Sequence, residues 1–358
     1  MTLILNNQNV RDLLTMEDVI DVLEFAYKEL AEGRGALRRR SDTIVKSDTV
    51  RGALYALKSM DGIAPALGVS AIRINSDIIT HPQVGDNIRR VKVPAAPGER
   101  YTGLVLLFST ETGEPLAIFP DGEVQPMRVA GTSALAAKYL AKKGARSVAL
   151  IGTGWQAQAQ LRAIDTVHEV SDFRVYSTRK ENRDQFAMEW SEKIGAQIRP
   201  CETAQEAVAG ADIVLCATNS VEHVAEESWL EPGMHISSIK APEFSADVIQ
   251  QCDVAVCHVP HGRPTLEFGD GAELPQTTGL DVDTLAARID LDNMPTLADI
   301  VSGKSPGRTD ENQTTCFLNI LGLGYQFAAV GSVLYKKAKD AGAGNEIPTD
   351  WLTQLEIP

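Results

Sequence analysis

Val148-Ala-Leu-Ile-Gly-Thr-Gly-Trp-Gln-Ala157 is an apolar strand that runs straight into a glycine-rich turn and then into a helix-forming stretch. The pattern predicts a place to hold a dinucleotide. Gly152 allows the tight turn, and Gly154 lets the backbone approach a pyrophosphate. The small Ala157, at the third position of the fingerprint, lets the following helix pack closely on its strand. Backbone N–H groups at the start of that helix, around Thr153, Trp155 and Gln156, would face the phosphates. Without a ligand the same residues would make only a tight strand-to-helix turn. The readable strand before it, the helix after it and a further strand at the expected distance favour the nucleotide reading.

That further strand, Phe173-Arg-Val-Tyr176, ends in Ser177-Thr178-Arg179, about where an acidic residue would grip a ribose 2′-hydroxyl in an NAD-preferring site. No carboxylate stands there. Two hydroxyls and a guanidinium suit a 2′-phosphate better, so NADP is expected ahead of NAD. A third apolar strand, Asp212-Ile-Val-Leu-Cys-Ala217, stops at Thr218-Asn219-Ser220, and the turn from Ala217 through Thr218 and Asn219 is expected to line the cofactor crevice. His235-Ile-Ser-Ser-Ile239 and Asp253-Val-Ala-Val-Cys257 repeat the pattern of short apolar strands separated by helical stretches. This is the signature of an α/β fold of Rossmann type with a doubly wound parallel sheet.

At 358 residues, 44% of them hydrophobic, the chain can bury more than one core, and two domains are expected. Its net charge of −14, with no long basic run, argues against nucleic acid and anionic membrane surfaces while leaving room for a local basic pocket. No apolar stretch approaches the roughly 20 residues needed to span a bilayer, and the N-terminus lacks a signal-peptide pattern, so a cytoplasmic location is expected. Cys201, Cys216, Cys252, Cys257 and Cys316 are odd in number and are read as reduced thiols, mostly buried. His258 and His261 are three apart beside Cys257, but Val259-Pro-His-Gly-Arg-Pro264 has the composition of a loop and offers no partner ligand at a standard spacing. No metal site is expected.

The region before residue 125 reads differently. Thr15 is a candidate N-cap before Met16-Glu-Asp-Val-Ile-Asp-Val-Leu-Glu-Phe-Ala26, whose apolar positions recur at helical spacing. Strands are predicted at 52–57, 68–74, 103–108 and 115–119, with a hairpin turn at Glu111-Thr-Gly-Glu114. The segment 81–100 is read as a long loop. This part is an α+β domain rather than a second nucleotide fold.

Met127-Arg-Val-Ala-Gly-Thr-Ser-Ala-Leu-Ala-Ala-Lys-Tyr-Leu140, the Gly152 turn with Trp155-Gln156-Ala157, and the run from Thr314 through Phe317 to Gly322 and Gly324 together resemble the ornithine cyclodeaminase/mu-crystallin family. The resemblance spans nearly the whole chain. It implies a discontinuous substrate-binding and dimerisation domain, residues 1–125 plus 318–358, with a dinucleotide-binding domain, 126–317, inserted. It further implies homodimers, a nicotinamide cofactor, and substrates that are amino acids or imines.

Arg128 matches the arginine with which the family holds the substrate carboxylate, a task suited to a bidentate, permanently charged guanidinium. One of Arg38, Arg39 or Arg40, with Arg40 preferred, resembles the second carboxylate-binding arginine. Two departures stand out. Where the family has Gly-Val-Lys this chain reads Gly68-Val69-Ser70, leaving Arg73 as the nearest cation and Lys58 as the candidate proton donor. After Ile239, where cyclodeaminases carry an acid/base aspartate, it reads Lys240-Ala-Pro-Glu243. Lys240 joins Arg40, Arg73 and Arg128 as an expected substrate contact, and Glu243 is read as a helix-start carboxylate. The Ser-Ser-Ile-Lys-Ala-Pro-Glu variant is similar to a subgroup that carries a tyramine oxidase label, which is no evidence of amine oxidase chemistry. The expected function is an NAD(P)-dependent oxidoreductase on C=N or C–N bonds, an imine reductase or amino-acid dehydrogenase. The alternatives are a cyclodeaminase that releases ammonia and an auxiliary protein that binds cofactor without turnover.

Overall fold

Alternation of buried and exposed side chains builds the first of two sheets. Strands β1 (Ser41–Lys46), β2 (Leu54–Ala64), β3 (Val69–Thr80), β4 (Thr102–Ser109) and β5 (Pro115–Pro120) pair antiparallel in that order. In β3 every odd residue from Val69 to Ile79 is buried and every even one is partly exposed, because successive side chains point to opposite faces of a sheet. Thr2–Ile4 and Asn345–Ile347 extend the edge beyond β5, and Thr265–Phe268 pairs parallel with β1 at the other edge.

The computed structural model describes residues 1–260, 264–269, 271–275 and 282–355. The chain forms two units: residues 1–128, 263–276 and 322–358 make the first, and 129–262 with 277–321 make the second. In the first unit the C-terminal helix, Gly324–Ala341, lies on the inner face of the sheet with backbone against backbone. A Cβ on Gly62 would meet the Tyr325 nitrogen at 2.2 Å, and one on Gly324 would meet the Asp61 carbonyl carbon at 2.3 Å. Helix α1 (Met16–Ala31) begins at Thr15, whose side chain and that of Asp18 form a reciprocal capping box. Tyr325 ties the C-terminal helix to α1 through a hydroxyl that donates to the Ala26 carbonyl.

Three sequence expectations shift here. The strands run longer than predicted, β2 and β3 by several residues, because polar side chains on one face interrupt their apolar runs without interrupting the ladder. The segment 81–100 is not simply a loop: Val91–Val93 pairs with Ile78–Thr80, giving the end of β3 a partner beyond the reach of β4. Residues 263–276 fall in the first unit, because Thr265–Phe268 is hydrogen-bonded to β1, rather than in the 126–317 span.

The second unit is a parallel sheet of β6 (Ser147–Ile151), β7 (Asp172–Tyr176), β8 (Ile198–Pro200), β9 (Ile213–Cys216), β10 (His235–Ser238), β11 (Val254–Cys257) and β12 (Thr315–Leu318). Its strand order is β8-β7-β6-β9-β10-β12-β11. Every pairing is parallel, and β9, β10 and β12 are buried along their whole length, as expected for strands covered on both faces. The fold is doubly wound, and the order reverses between β6 and β9, the switch point outside which such sheets bind ligands. The five cysteines are unpaired, four of them buried and Cys252 partly so. Among the described residues no helix is long and apolar enough to cross a membrane.

Candidate active site

The turn after β6 has the geometry its glycines predict. Gly152 adopts φ +115°, and a Cβ there would stand 2.3 Å from the Ala217 carbonyl oxygen. Its N–H donates to Tyr176 O at the end of β7 (2.8 Å), while Ala217 N at the end of β9 donates to Ile151 O (2.9 Å). The turn is thereby pinned between Ser177-Thr178-Arg179 and Thr218-Asn219. Helix α2 (Trp155–Val167) starts at Gly154 with no side-chain cap, and a Cβ on Gly154 would meet nothing within 4 Å. The first-turn N–H groups therefore face open space, the cradle that a pyrophosphate fits. Gln156 Oε1, Ser237 Oγ and Ser238 Oγ are buried without a hydrogen-bond partner, Ser238 at the carboxyl end of β10. Thr178, Arg179 and Asn219 are exposed, and Trp155 is half exposed. These residues fit a dinucleotide.

Glu243 differs from its expectation as a helix-start carboxylate. It is wholly buried and points back at the sheet, accepting from Thr218 N (2.6 Å), Thr218 Oγ1 (2.9 Å) and Ile239 N (2.9 Å). The turn at Ala241–Glu243 turns it inward, where N–H groups at the ends of β9 and β10 have run out of ladder partners. Burial pushes its pKa up to about 7 against the pull of those donors. Lys240 Nζ donates to Ser220 O at 2.6 Å, so this expected substrate contact fastens the same loops.

The first unit gathers the other predicted residues on the inner face of its sheet. Lys58 on β2 and Asp77 on β3 form a buried ion pair of 2.5 Å, and Lys92 reaches the second oxygen of Asp77 at 3.0 Å. Desolvation, then the charge of Arg90, lowers the Lys58 pKa to about 8 despite Asp77. Burial works to raise the Asp77 pKa, and the two ammonium groups outweigh it. Arg73 pairs with Asp121 at 2.6 Å, and Asn75 donates to the same oxygen at 3.2 Å. Gly103 makes this possible, since a Cβ there would lie 2.1 Å from Asp121 Oδ1. Of the arginine trio, Arg38 is exposed and pairs with Asp61, Arg39 is exposed, and Arg40 grips the buried Asp42 at 2.7 and 2.9 Å.

Arg128 is 4% exposed. Its guanidinium donates to Gln326 Oε1 (3.0 Å) and Gln125 Oε1 (2.9 Å) and lies 5.3 Å from the Phe327 ring centre. Gly322 leaves it room, as a Cβ there would stand 2.5 Å from Nη1. Desolvation and the neighbouring Arg73 press its pKa down, so an arriving anion is favoured.

Sequence reading missed Asp42, Asn75, Asp77, Asp121 and Gln326. The signal lay in β3, where Arg73, Asn75 and Asp77 occupy alternate positions that an apolar core face would fill with aliphatic residues. His258 is buried with Nδ1 against the Leu321 carbonyl, and His261 lies outside the described residues. Among the described residues no cluster could hold a metal ion.

Comparison with known proteins agrees with this architecture. The chain is 26% identical to an alanine dehydrogenase of Archaeoglobus fulgidus over 97% of its length and 98% of the relative's. It is 25% identical to a Delta(1)-pyrroline-2-carboxylate reductase of Bacillus cereus, over 96% and 99% of the two chains. The structure of Thermococcus litoralis Delta(1)-pyrroline-2-carboxylate reductase in complex with NADH and L-proline superposes with a TM-score of 0.78 at 25% identity, covering 97% of this chain and 100% of that one. Residues 1–342 match the pattern of the ornithine cyclodeaminase/mu-crystallin family, and this chain belongs to that family.

Proposed function

We propose that this protein is an NAD(P)-dependent oxidoreductase that reduces the C=N bond of a 2-imino acid or, in reverse, oxidises an amino acid, with NADP preferred over NAD. The first unit is the substrate-binding domain and the second the dinucleotide-binding domain. One observation carries the reading: a buried lysine with its pKa drawn down to about 8 shares the inner face of one sheet with a buried arginine on which an anion is favoured. The bound nicotinamide supplies or accepts a hydride at the imine carbon. Arg128, with Arg40, holds the carboxylate and so fixes the position of that carbon. Lys58 gives a proton to the nitrogen, and its pKa lies close enough to neutrality for it to act as donor and be reprotonated. Asp77 orients the Lys58 ammonium, and Asp121 orients Arg73. In the second unit the N–H groups after Gly154 bind the pyrophosphate, and Ser177, Thr178 and Arg179 take the 2′-phosphate.

The lyase reading loses support from Glu243, whose two oxygens are engaged by Thr218 and Ile239. The chain therefore lacks a free carboxylate at the position where a cyclodeaminase needs one. A homodimer is proposed through the outer face of the first sheet, where Leu57, Ile63 and Leu104 are 43%, 44% and 40% exposed beside the partly exposed Ile72, Ile74 and Leu106.

The test is purified protein with NADPH or NADH, a panel of 2-oxo acids and ammonia or methylamine. Consumption of reduced cofactor with formation of the amino acid is expected. Proline and ammonia from ornithine without net cofactor change would instead establish a lyase, and cofactor binding without turnover an auxiliary protein.

A further inference from the structure

The inner face of the first sheet carries more positive charge than one carboxylate requires. Among the described residues, Arg40, Lys58, Arg73, Arg90, Lys92 and Arg128 gather there or at its rim, against the carboxylates of Asp42, Asp77 and Asp121. Six cations face three anions in a chain whose net charge is −14. The excess is partly desolvated: Lys58, Arg73, Asp77 and Arg128 are each 5% exposed or less. Uncompensated positive charge in such a place is costly, and each anion brought to it relieves part of the cost.

The charges are spread along the face. Arg128 sits at one end with Arg73 and Asp121. Arg90 and Lys92 sit at the other, on the segment that pairs with the end of β3, where Lys92 bonds Asp77 and Arg90 is exposed to solvent. Arg40 lies between, near enough to act on both Arg128 and Arg90. One small molecule can therefore reach both ends.

We propose that the substrate is a dicarboxylic 2-oxo or 2-imino acid, its reacting carboxylate on Arg128 and its distal carboxylate received by Arg90 and Lys92. This rests on the imine reductase reading and adds the substrate class to it. Reduction by a nicotinamide dinucleotide adds a hydride to C2 and a proton to nitrogen and leaves both carboxylates intact, so the distal group serves only as an anion. A diamino acid is disfavoured, because its distal ammonium would meet Arg90 and Lys92.

The test is calorimetric titration of the full chain, loaded with oxidised cofactor, with 2-oxoglutarate, 2-oxopentanoate and ornithine. The two oxo acids have five carbons each and differ in a terminal carboxylate against a methyl group. 2-Oxoglutarate is expected to bind about 10-fold more tightly or better, the worth of one charge-assisted contact, with the gap narrowing as salt is raised. Arg90→Gln should shrink that ratio toward one, and Arg90→Lys, which keeps the charge, should preserve it. Equal binding of the two oxo acids, or a ratio untouched by Arg90→Gln, overturns the proposal; if both are still reduced with ammonia present, the reductase reading survives it. Binding of ornithine alone, with neither oxo acid bound or reduced, sinks both.

Discussion

Replacing Gly152 and Gly154 separately with alanine distinguishes a turn that only needs glycine for its shape from one that needs it for a ligand. At Gly152 the new Cβ would stand 2.3 Å from the Ala217 oxygen and 2.9 Å from its carbonyl carbon, on a backbone held at φ +115°. Overpacking of this kind costs about 1–3 kcal/mol. A side chain in a sparsely populated backbone region costs about 1–3 kcal/mol more. The sum, about 2–5 kcal/mol, corresponds to a fall of about 5–15 °C in the melting of a unit this size. At Gly154 the Cβ meets nothing within 4 Å and φ is −80°, so Gly154→Ala should change stability by less than about 1 kcal/mol. Its methyl group would nevertheless occupy the space in front of the α2 N-terminus. Thermal unfolding without ligand and nicotinamide fluorescence titration read the two effects apart. Gly152→Ala should melt early and bind no cofactor, whereas Gly154→Ala should melt like the parent and bind at least 10-fold more weakly, roughly the loss of one charged hydrogen bond. A parental melting temperature for Gly152→Ala would refute the steric argument. Parental cofactor affinity for Gly154→Ala would show that the pyrophosphate lies elsewhere.

Arg128→Ala should lower kcat/KM by roughly tenfold or more while leaving cofactor affinity intact, because the lost contact is to the substrate anion; unchanged turnover would remove it from the site. Asp77→Asn removes the charge that holds the Lys58 pKa up, so the alkaline limb of the pH–rate profile, near 8 in the parent, should move down by about 1–3 units; an unmoved limb assigns the proton to another donor. The same depressed Lys58 pKa means that the unfolded chain binds more protons between about 8 and 10.5, so this group's contribution to stability rises with pH across that window, as pH-dependent unfolding would record. Arg179→Ala should weaken NADPH selectively and leave NADH binding nearly constant; parallel losses for both would assign Arg179 no part in recognising the 2′-phosphate. Leu104→Glu on the outer face of the first sheet should shift sedimentation toward a monomer, and an unchanged profile would exclude that face as the dimer contact.

The dinucleotide turn was legible because its requirements are local. A strand, a glycine that must take φ +115°, an open helix start and a small residue at Ala157 are consecutive in the chain. The same holds for the Thr15 capping box, and for the short apolar strands of the second unit, which must be buried on both faces. What the residues alone could not decide were partnerships between distant positions. Lys58 meets Asp77 19 residues away, Arg73 meets Asp121 48 away, and Arg128 meets Gln326 198 away. No spacing rule links such pairs; they are set by strand register and by the return of the C-terminal helix. Arg40 could be chosen from its trio only by resemblance, and the structure distinguishes it through the buried Asp42. Glu243 was legible as a charge at a turn but not as the clasp between β9 and β10, because its inward direction depends on unpaired N–H groups that exist only once those strands lie side by side. Local backbone demands are written in neighbouring residues, whereas buried charges find their partners only after the sheet has brought together segments that the chain keeps apart.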